Sequence, residues 1–440
     1  MFATIAVEEL RVGMFVQLDG GWLSHPFPLS SFQLTTEEQI NTIRGLGLQE
    51  VRWVPEKSEL PEAVDPVAAA AAAAAAAEAL RSESAADAAA RERRAQLDAQ
   101  RQAQQQAERG FTEAARSWRE AFDAVSAQPV RSAGVAGALA GKLLQGLKAD
   151  GDIAIRLLAG AQGDRGAAHA VNVTIISMLI GRSFGFDDAE MLDLGTGALL
   201  HDVGKMDLPD RVHHADDRFT AAETNAFRDH VAKGVAQGKR MALSAGALAV
   251  VAQHHEHADG SGFPARLVAD NMSPAARIVA IVNRYDNLCN PALLARAMTP
   301  HEAVSMLFAQ GRGRFDAGVL NAFIRMMGVY PAGSLVQLTD ERYAMVVGVN
   351  SSRPLKPRVL VHDPKTPRNE AVLLNLEDSP ELGIRRSLAP AKLPPAALQY
   401  LDARPRVAYF FEALPNAASA AQPLDSPGGR PLPPEERAAA

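Results

Sequence analysis

The 440-residue sequence has one cysteine, Cys289, only 5% aromatic residues and no long hydrophobic run. A single cysteine excludes an intrachain disulfide framework, and the first nine residues lack the basic start and apolar stretch of a secretion signal. We therefore expect a cytoplasmic protein. Residues 68–77 are all alanine, which is too short and too weakly hydrophobic a stretch to cross a bilayer, so we expect no membrane segment.

The sequence also lacks an excess of positive charge, because 45 basic residues face 51 acidic ones and the net charge is -6. This balance gives no electrostatic reason to bind DNA or an anionic membrane. In contrast, apolar residues make up 47% of the chain, enough to build more than one core over this length. The composition thus predicts a multidomain protein that is not a general polyanion binder.

Changes in hydrophobic periodicity along the chain predict a mainly α protein with five parts. The parts are a small α+β domain (1–62), an Ala/Gln/Arg-rich helical spacer (63–130), a helical domain (131–330), a β-rich appendage (331–412) and a disordered tail (413–440). The spacer has few apolar residues to bury. It is either a solvated connection without a specific function or a helix that transmits a signal or forms a homodimer.

Histidines are concentrated in the predicted helical domain, where eight of the eleven lie between residues 169 and 257. Residues 201–205 read His-Asp-Val-Gly-Lys, at the end of an apolar helix. A carboxylate can bridge two divalent cations, imidazoles can complete their coordination, and an ammonium group can hold a phosphate oxygen beside them. Because further histidines occur on separate predicted helices, this pattern predicts a metal site inside a helical bundle that acts on phosphate.

A second motif spans residues 254–264 and reads His-His-Glu-His-Ala-Asp-Gly-Ser-Gly-Phe-Pro. Backbone amides of such a glycine-containing loop can approach an anion closely, although a turn without a ligand accounts for the same residues. Glu256 and Asp259 can either hydrogen-bond within the loop or support the neighbouring histidines.

With these two motifs at this spacing, residues 165–328 resemble the HD-GYP family, a branch of the HD phosphohydrolase superfamily. Residues 1–62 resemble the small domain of unknown function that precedes some members. The resemblance implies an HD-type helical bundle with two divalent metal ions, iron or manganese, that hydrolyses cyclic di-GMP in bacterial signalling. It also implies an association with diguanylate cyclase-type proteins.

The same resemblance assigns roles to individual residues. Asp202 and Lys205 are the catalytic pair, and Lys205 also contacts the substrate phosphate together with the loop residues Gly260, Ser261, Gly262 and Phe263. Supporting roles beside the ligands fall to Glu256, Asp259 and Asp286, although Asp286 could instead ligate a metal directly. The implied metal ligands are His169, His201, Asp202, His230, His254, His255 and Asn283.

Several positions depart from the family pattern. Asn283 stands where an aspartate ligand is expected, so one metal should be held more weakly and activity could be reduced. Phe263 replaces the signature tyrosine, and the Arg-Pro-Tyr element that usually follows is absent. Arg165 occupies the place of a glutamate found in members with a third metal, which argues against a trinuclear site. Asn283 and the missing Arg-Pro-Tyr element favour an alternative, a weak or inactive signalling module that binds a nucleotide or a partner protein.

Overall fold

The computed structural model describes residues 3–19, 26–27, 29–59, 85–148, 153–158, 164–350 and 353–413. The chain divides into two compact units, Met1–Glu92 and Arg93–Ala440. Both the alanine tract at 68–77 and nearly all of the tail predicted to be disordered lie outside the described residues. The boundaries of the five predicted parts stay predictions.

The N-terminal unit contains a four-stranded antiparallel sheet of order β1-β4-β2-β3, formed by Ala3–Ala6, Phe15–Gln17, Ser31–Gln33 and Glu50–Trp53. Helix α1 (Glu37–Gly45) begins at a capping box, in which Thr36 and Gln39 satisfy each other's backbone amides. Its Ile40 and Ile43 are fully buried in the same apolar cluster as Val16 and Leu34. This core agrees with the predicted α+β character.

The second unit is mainly helical. Its helices are α2 (Ala85–Ala124, which begins before residue 93), α3 (Pro129–Leu147), α4 (Arg165–Ser183), α5 (Asp188–Leu200), α6 (Ala221–Arg228), α7 (His230–Arg240), α8 (Ala245–Gln253), α9 (Pro274–Cys289), α10 (Pro300–Gln310), α11 (Ala317–Met327) and α12 (Pro395–Leu401). The mainly α fold class predicted from the sequence is confirmed. Among the described residues, no helix combines the length and the apolarity that a membrane crossing requires.

Helix α4 lies at the centre of the bundle and is buried along most of its length. It packs against α5 and α9, and α5 also packs against α8. Gly197 makes the α5–α8 contact possible, because a Cβ atom there would lie 2.6 Å from Val250 Cβ. The ends of α5 and α8, where the two histidine motifs begin, are thereby brought to the same part of the core.

Helix α2 changes character along its length. Its first half is exposed, as expected for a spacer, whereas Phe111, Trp118 and Val125 in and just after its second half are buried in the core of the bundle. The helix therefore contributes one wall to the helical core.

The predicted helical domain (131–330) is not helical throughout: Ile153–Leu157 forms strand β5, so the helical expectation is wrong there. This strand lies between β7 (Tyr343–Asn350) and β11 (Tyr409–Ala413) in a seven-stranded sheet of the described residues. Its other strands are β6 (Leu335–Leu338), β8 (Arg358–Val361), β9 (Leu374–Asn375) and β10 (Ile384–Ser387). A short apolar run is compatible with helix or strand, and pairing with distant strands decided the outcome.

Candidate metal centre

Four helices of the bundle bring their histidines to one point. His169 lies in α4, the pair His201-Asp202 follows α5, His230 begins α7, and His254 follows α8. His201, His230 and His254 are at most 1% exposed. Residues up to 85 positions apart in the sequence thus meet in the interior.

Each of these four imidazoles uses Nδ1 for a hydrogen bond and directs Nε2 inward. Three of them face the backbone carbonyl three residues earlier: His201 to Ala198 at 2.7 Å, His230 to Phe227 at 2.5 Å and His254 to Val251 at 2.9 Å. The fourth, His169, faces Asp286 Oδ2 at 2.6 Å. Such bonds fix the ring orientation and leave Nε2 with a free lone pair, as metal-ligating histidines require.

Asp202 lies between two sets of imidazoles. Its Oδ2 is 3.7 Å from His169 Nε2 and 3.5 Å from His201 Nε2, whereas its Oδ1 is 3.6 Å from His230 Nε2 and 3.7 Å from His254 Nε2. These distances exceed normal hydrogen bonds. One carboxylate is therefore shared by two separate groups of nitrogen donors.

We call Asp202, His230, His254 and His255 the closed group, and Asp202, His169 and His201 the open group. Within each group the potential ligand atoms lie within 4.8 Å of one another. Among the described residues, Asp202 Oδ1 and His255 Nε2 are buried without a hydrogen-bond partner. Leaving such atoms unpaired costs about 1–3 kcal/mol each. A cation bound by the closed group would remove this cost, so the donor set fits a divalent metal.

The electrostatics of the groups also suit ligation. Burial lowers the pKa of His201 to about 4, and burial likewise lowers the pKa values of His230, His254 and His255. Burial acts to raise the pKa of Asp202, but Lys205 and the histidines outweigh it and hold that pKa well below its usual range. At neutral pH these four imidazoles are therefore uncharged beside an ionised carboxylate, the protonation states that bind metal.

Lys205 lies in the turn Val203–Asp207 that follows α5, with Nζ 2.5 Å from Asp202 Oδ2. Its ammonium also lies over the Phe227 ring, 5.6 Å from the centroid. The side chain is partly exposed. It can therefore donate to an anion beside the open group while it pairs with Asp202.

Asp286 receives three polar hydrogens in the interior. Besides His169 at Oδ2, its Oδ1 accepts from Asn172 and Asn290, each at 2.8 Å. The same two asparagine side chains also accept hydrogen bonds from the backbone at β11. Asn172 Oδ1 accepts from the Tyr409 backbone amide, and Asn290 Oδ1 accepts from the Val407 backbone amide. His169 is thus held through Asp286 by the C-terminal strand. Sequence reasoning missed Asn172 and Asn290, although a polar residue between Val171 and Val173 was a usable signal.

Asn283 is buried, and its Oδ1 accepts a hydrogen bond from Asn287 Nδ2 at 2.6 Å. At least one lone pair of that oxygen is therefore engaged within helix α9. Its role as a ligand stays a prediction.

The loop after His255 folds back onto the closed group. Phe263 stacks on His255 with 4.5 Å between ring centroids. The Arg228 guanidinium lies over the Phe263 ring, 5.0 Å from its centroid. Position 262 has room only for glycine, because a Cβ atom there would lie 2.4 Å from Glu256 Cα. Phe263 thus covers a histidine of the site with an apolar ring.

The loop carboxylates hydrogen-bond to the loop itself. Glu256 is fully buried and accepts from the amides of Ala265 (2.6 Å) and Leu267 (2.9 Å), while Asp259 Oδ1 accepts from the Ser261 amide (2.8 Å). Gly260 adopts a left-handed conformation (φ 75°) in this turn. These contacts agree with the alternative in which the signature carboxylates shape the loop.

A cavity of about 380 Å³ lies beside the open group. The described residues that line it include His169, His201, Asp202 and Lys205 but none of Gly260–Phe263. The open group and Lys205 are therefore accessible from this side, whereas the predicted substrate contacts of the loop lie elsewhere.

Comparison with known proteins agrees with this geometry. A family model described as a domain of unknown function (DUF3391) matches residues 3–133, and one described as an HD domain matches residues 141–319. The chain is 30% identical over 379 residues to a cyclic di-GMP phosphodiesterase of Pseudomonas aeruginosa, covering 82% of this chain and 85% of that protein.

Two further relatives match shorter parts. A cyclic di-GMP phosphodiesterase response regulator of Xanthomonas campestris is 32% identical over 36% of this chain and 43% of its own length. A 3'3'-cGAMP-specific phosphodiesterase of Vibrio cholerae is 32% identical over 34% of this chain and 29% of its own length. With the Pseudomonas protein matched over most of both chains, the sequence resemblance is confirmed: this chain belongs to the HD-GYP family of HD-domain proteins and carries a DUF3391 domain ahead of its HD domain.

Proposed function

We propose that this chain is a metal-dependent phosphodiesterase that hydrolyses a cyclic dinucleotide, with cyclic di-GMP as the substrate. The observation that carries the proposal is the shared Asp202 carboxylate, whose two oxygens face different sets of imidazoles and one of which is buried without a partner. A structural ion pair would not need two sets of oriented imidazole donors around one carboxylate.

In this proposal the closed group holds one divalent metal, the open group holds the other, and Asp202 contributes to both. Bound metals of this kind supply Lewis acidity, which activates water and stabilises charge on phosphoryl oxygens. Iron and manganese are the metals that the family resemblance implies, and imidazole and carboxylate donors are compatible with both. Lys205 donates from Nζ to a non-bridging phosphate oxygen at the cavity, and the Nδ1 bonds keep each imidazole in its ligating tautomer.

The choice of substrate rests on the relatives. The protein matched over 82% of this chain is a cyclic di-GMP phosphodiesterase, while a shorter match is specific for 3'3'-cGAMP. These two ligands differ in one base and share the cyclic phosphodiester backbone. The site geometry supports hydrolysis of that backbone, and the longer match favours cyclic di-GMP.

The experiment that tests the proposal measures metal content and turnover together. Protein purified without oxygen is supplied with iron(II) or manganese(II) and assayed on cyclic di-GMP and on 3'3'-cGAMP, beside Asp202→Ala. We expect about two metals per chain, faster hydrolysis of cyclic di-GMP, and no turnover by the variant. Full turnover by Asp202→Ala would refute the assignment, and faster hydrolysis of 3'3'-cGAMP would change the substrate but keep the reaction.

A second candidate is a signalling module of the same fold that binds the nucleotide without efficient hydrolysis. Asn283 favours it, because an amide replaces the expected carboxylate and its oxygen already accepts from Asn287. Cyclic di-GMP binding without product, in protein with less than one metal per chain, would support this candidate. An association with diguanylate cyclase-type proteins, homodimer formation and a cytoplasmic location stay predictions.

A further inference from the structure

Arg165 is the first residue of helix α4 and lines the cavity beside the open group. Its side chain is partly buried, and its recorded contacts are uncharged or cationic partners: Nη1 lies 2.9 Å from His214 Nδ1, and Nε donates to the Asn290 carbonyl at 3.4 Å. Among the described residues, no carboxylate lies within 4.0 Å of its guanidinium. Burial and the nearby Arg406 lower its pKa, and they outweigh the more distant carboxylates of Asp286 and Asp202, which act to raise it.

The other cations of the cavity wall are neutralised. Arg119 pairs with Asp164 (3.4 Å) and Lys205 pairs with Asp202 (2.5 Å). Asp123 also borders the cavity, but it is exposed to solvent. Arg165 therefore presents a positive charge without a contacting carboxylate on the same cavity as the proposed metal ligands. Its planar donor fork suits the oxygens of a phosphate.

Aromatic side chains of helix α2 line the same cavity as Arg165. Trp118 and Phe122 stack with 4.8 Å between ring centroids, and Trp118 is held in place by a hydrogen bond from Nε1 to the Leu199 carbonyl (2.8 Å). Gly166 leaves room for the indole, because a Cβ atom there would lie 3.2 Å from Trp118 Cη2. Aromatic rings are the surfaces on which bases stack in nucleotide sites.

We propose that this cavity is the subsite for one nucleotide half of the cyclic dinucleotide, in which Arg165 binds the phosphate that is not cleaved and the Trp118–Phe122 wall packs against the attached base. The proposal rests on the proposed function for the identity of the ligand. A volume of about 380 Å³ lies near the lower end of the range for small-molecule pockets, which suits part of a dinucleotide. Arg165 would thereby supply a phosphate grip in a chain without the Arg-Pro-Tyr element.

Direct binding tests the subsite without relying on turnover. Full-length protein supplied with manganese(II) is titrated calorimetrically with the phosphorothioate analogue of cyclic di-GMP, which resists hydrolysis. We expect Arg165→Gln to weaken binding by about 10- to 100-fold, the range for loss of a charge-assisted contact, and Arg165→Lys to lie in between. The control is Arg131→Gln, because Arg131 is exposed and pairs with Glu120. Metal content and melting temperature of each variant identify any loss that comes from a damaged fold.

The outcomes separate this inference from the proposed function. Binding of the analogue to Arg165→Gln within twofold of the wild type, or no binding to the wild type at all, would overturn the subsite. If the wild type binds the analogue through Arg165 but does not hydrolyse cyclic di-GMP, the subsite stands and the phosphodiesterase proposal fails.

Tryptophan fluorescence tests independently whether the ligand binds beside Trp118. The test is practical because the chain has only three tryptophans. Replacement of Trp22 and Trp53 by Phe leaves Trp118 as the single emitter. We expect the analogue to quench this emission with the calorimetric Kd. Calorimetric binding without any change in Trp118 emission would contradict the placement of the base.

Discussion

The closed and open groups share Asp202 but are built differently. In the closed group His230 and His254 are oriented by carbonyls of their own helical turns, and Phe263 covers His255. In the open group His169 is oriented by Asp286, which depends on two amides that also hold the chain next to β11. Local geometry therefore orients His230 and His254 as well as His201 of the open group, whereas long-range packing orients His169, which faces the cavity.

The largest effect is expected where the two groups meet. Asp202→Ala removes the only carboxylate common to both, so we expect loss of both metals and a fall in turnover of at least about 1000-fold. Metal analysis by mass spectrometry and a cyclic di-GMP assay check this. Asp216→Ala is the control, since Asp216 pairs with the nearby Arg218 outside both groups. If Asp202→Ala still binds one metal ion per chain, Asp202 is not a ligand that both metals require.

A change confined to the open group sharpens the comparison. Asp286→Asn keeps the shape of the side chain but loses the negative charge that orients His169, so we expect the affinity for one metal to fall about 10- to 100-fold while the other stays bound. Stepwise titration with manganese(II) measures this. Asp316→Asn serves as the control, because Asp316 caps α11 and pairs with Arg277 away from the site. Equal weakening of both metals would show that the two groups are not independent.

A gain of charge tests the natural tuning of the site. Asn283→Asp adds the carboxylate expected from the family pattern. We expect metal content and turnover to rise roughly 5-fold, because the added negative charge attracts a metal cation more strongly in a buried site. Asn225→Asp, on α6, is the matched control. No change in metal content would indicate that residue 283 is not a ligand in this chain.

The smallest functional effect is expected at the sheet that supports the open group. Glu412 of β11 pairs with Arg156 of β5 and with Arg358 of β8. Burial acts to raise the pKa of Glu412, but the two arginines outweigh it and lower that pKa. Its contribution to the free energy of unfolding is therefore present at pH 7 and is lost as the pH falls below the ordinary value of about 4.3 and through the folded-state pKa.

Urea unfolding of Glu412→Gln between pH 7 and pH 3 measures this contribution. We expect a loss of about 2 kcal/mol at pH 7 that shrinks in acid, with at most a twofold change in metal affinity. Glu113→Gln is the control, because the solvent-exposed pair of Glu113 with Lys142 should contribute little to the free energy of unfolding. A larger change in metal affinity than in stability would mean that the strand acts on His169 directly.

The family and most of the candidate ligand histidines could be predicted because their spacing is local. His201 and Asp202 are adjacent, and His254 and His255 follow one helix, so two short motifs indicated the chemistry before any tertiary structure was considered. The cavity wall could not be predicted in this way. Trp118 lies in a segment that reads as a spacer, and only its packing against Leu199 and Gly166 places it beside the open group.

The sequence alone determined the mainly α class, the candidate metal donors and the departures at Asn283, Phe263 and Arg165, because each depends on residue type and short-range order. Tertiary structure decided which oxygen of Asp202 faces which histidines, that Ile153–Leu157 is a strand, and that Asn172 and Asn290 connect β11 to His169. These features depend on contacts between residues far apart in the chain. Short-range patterns do not encode them, and they arise only when the helices and strands pack together.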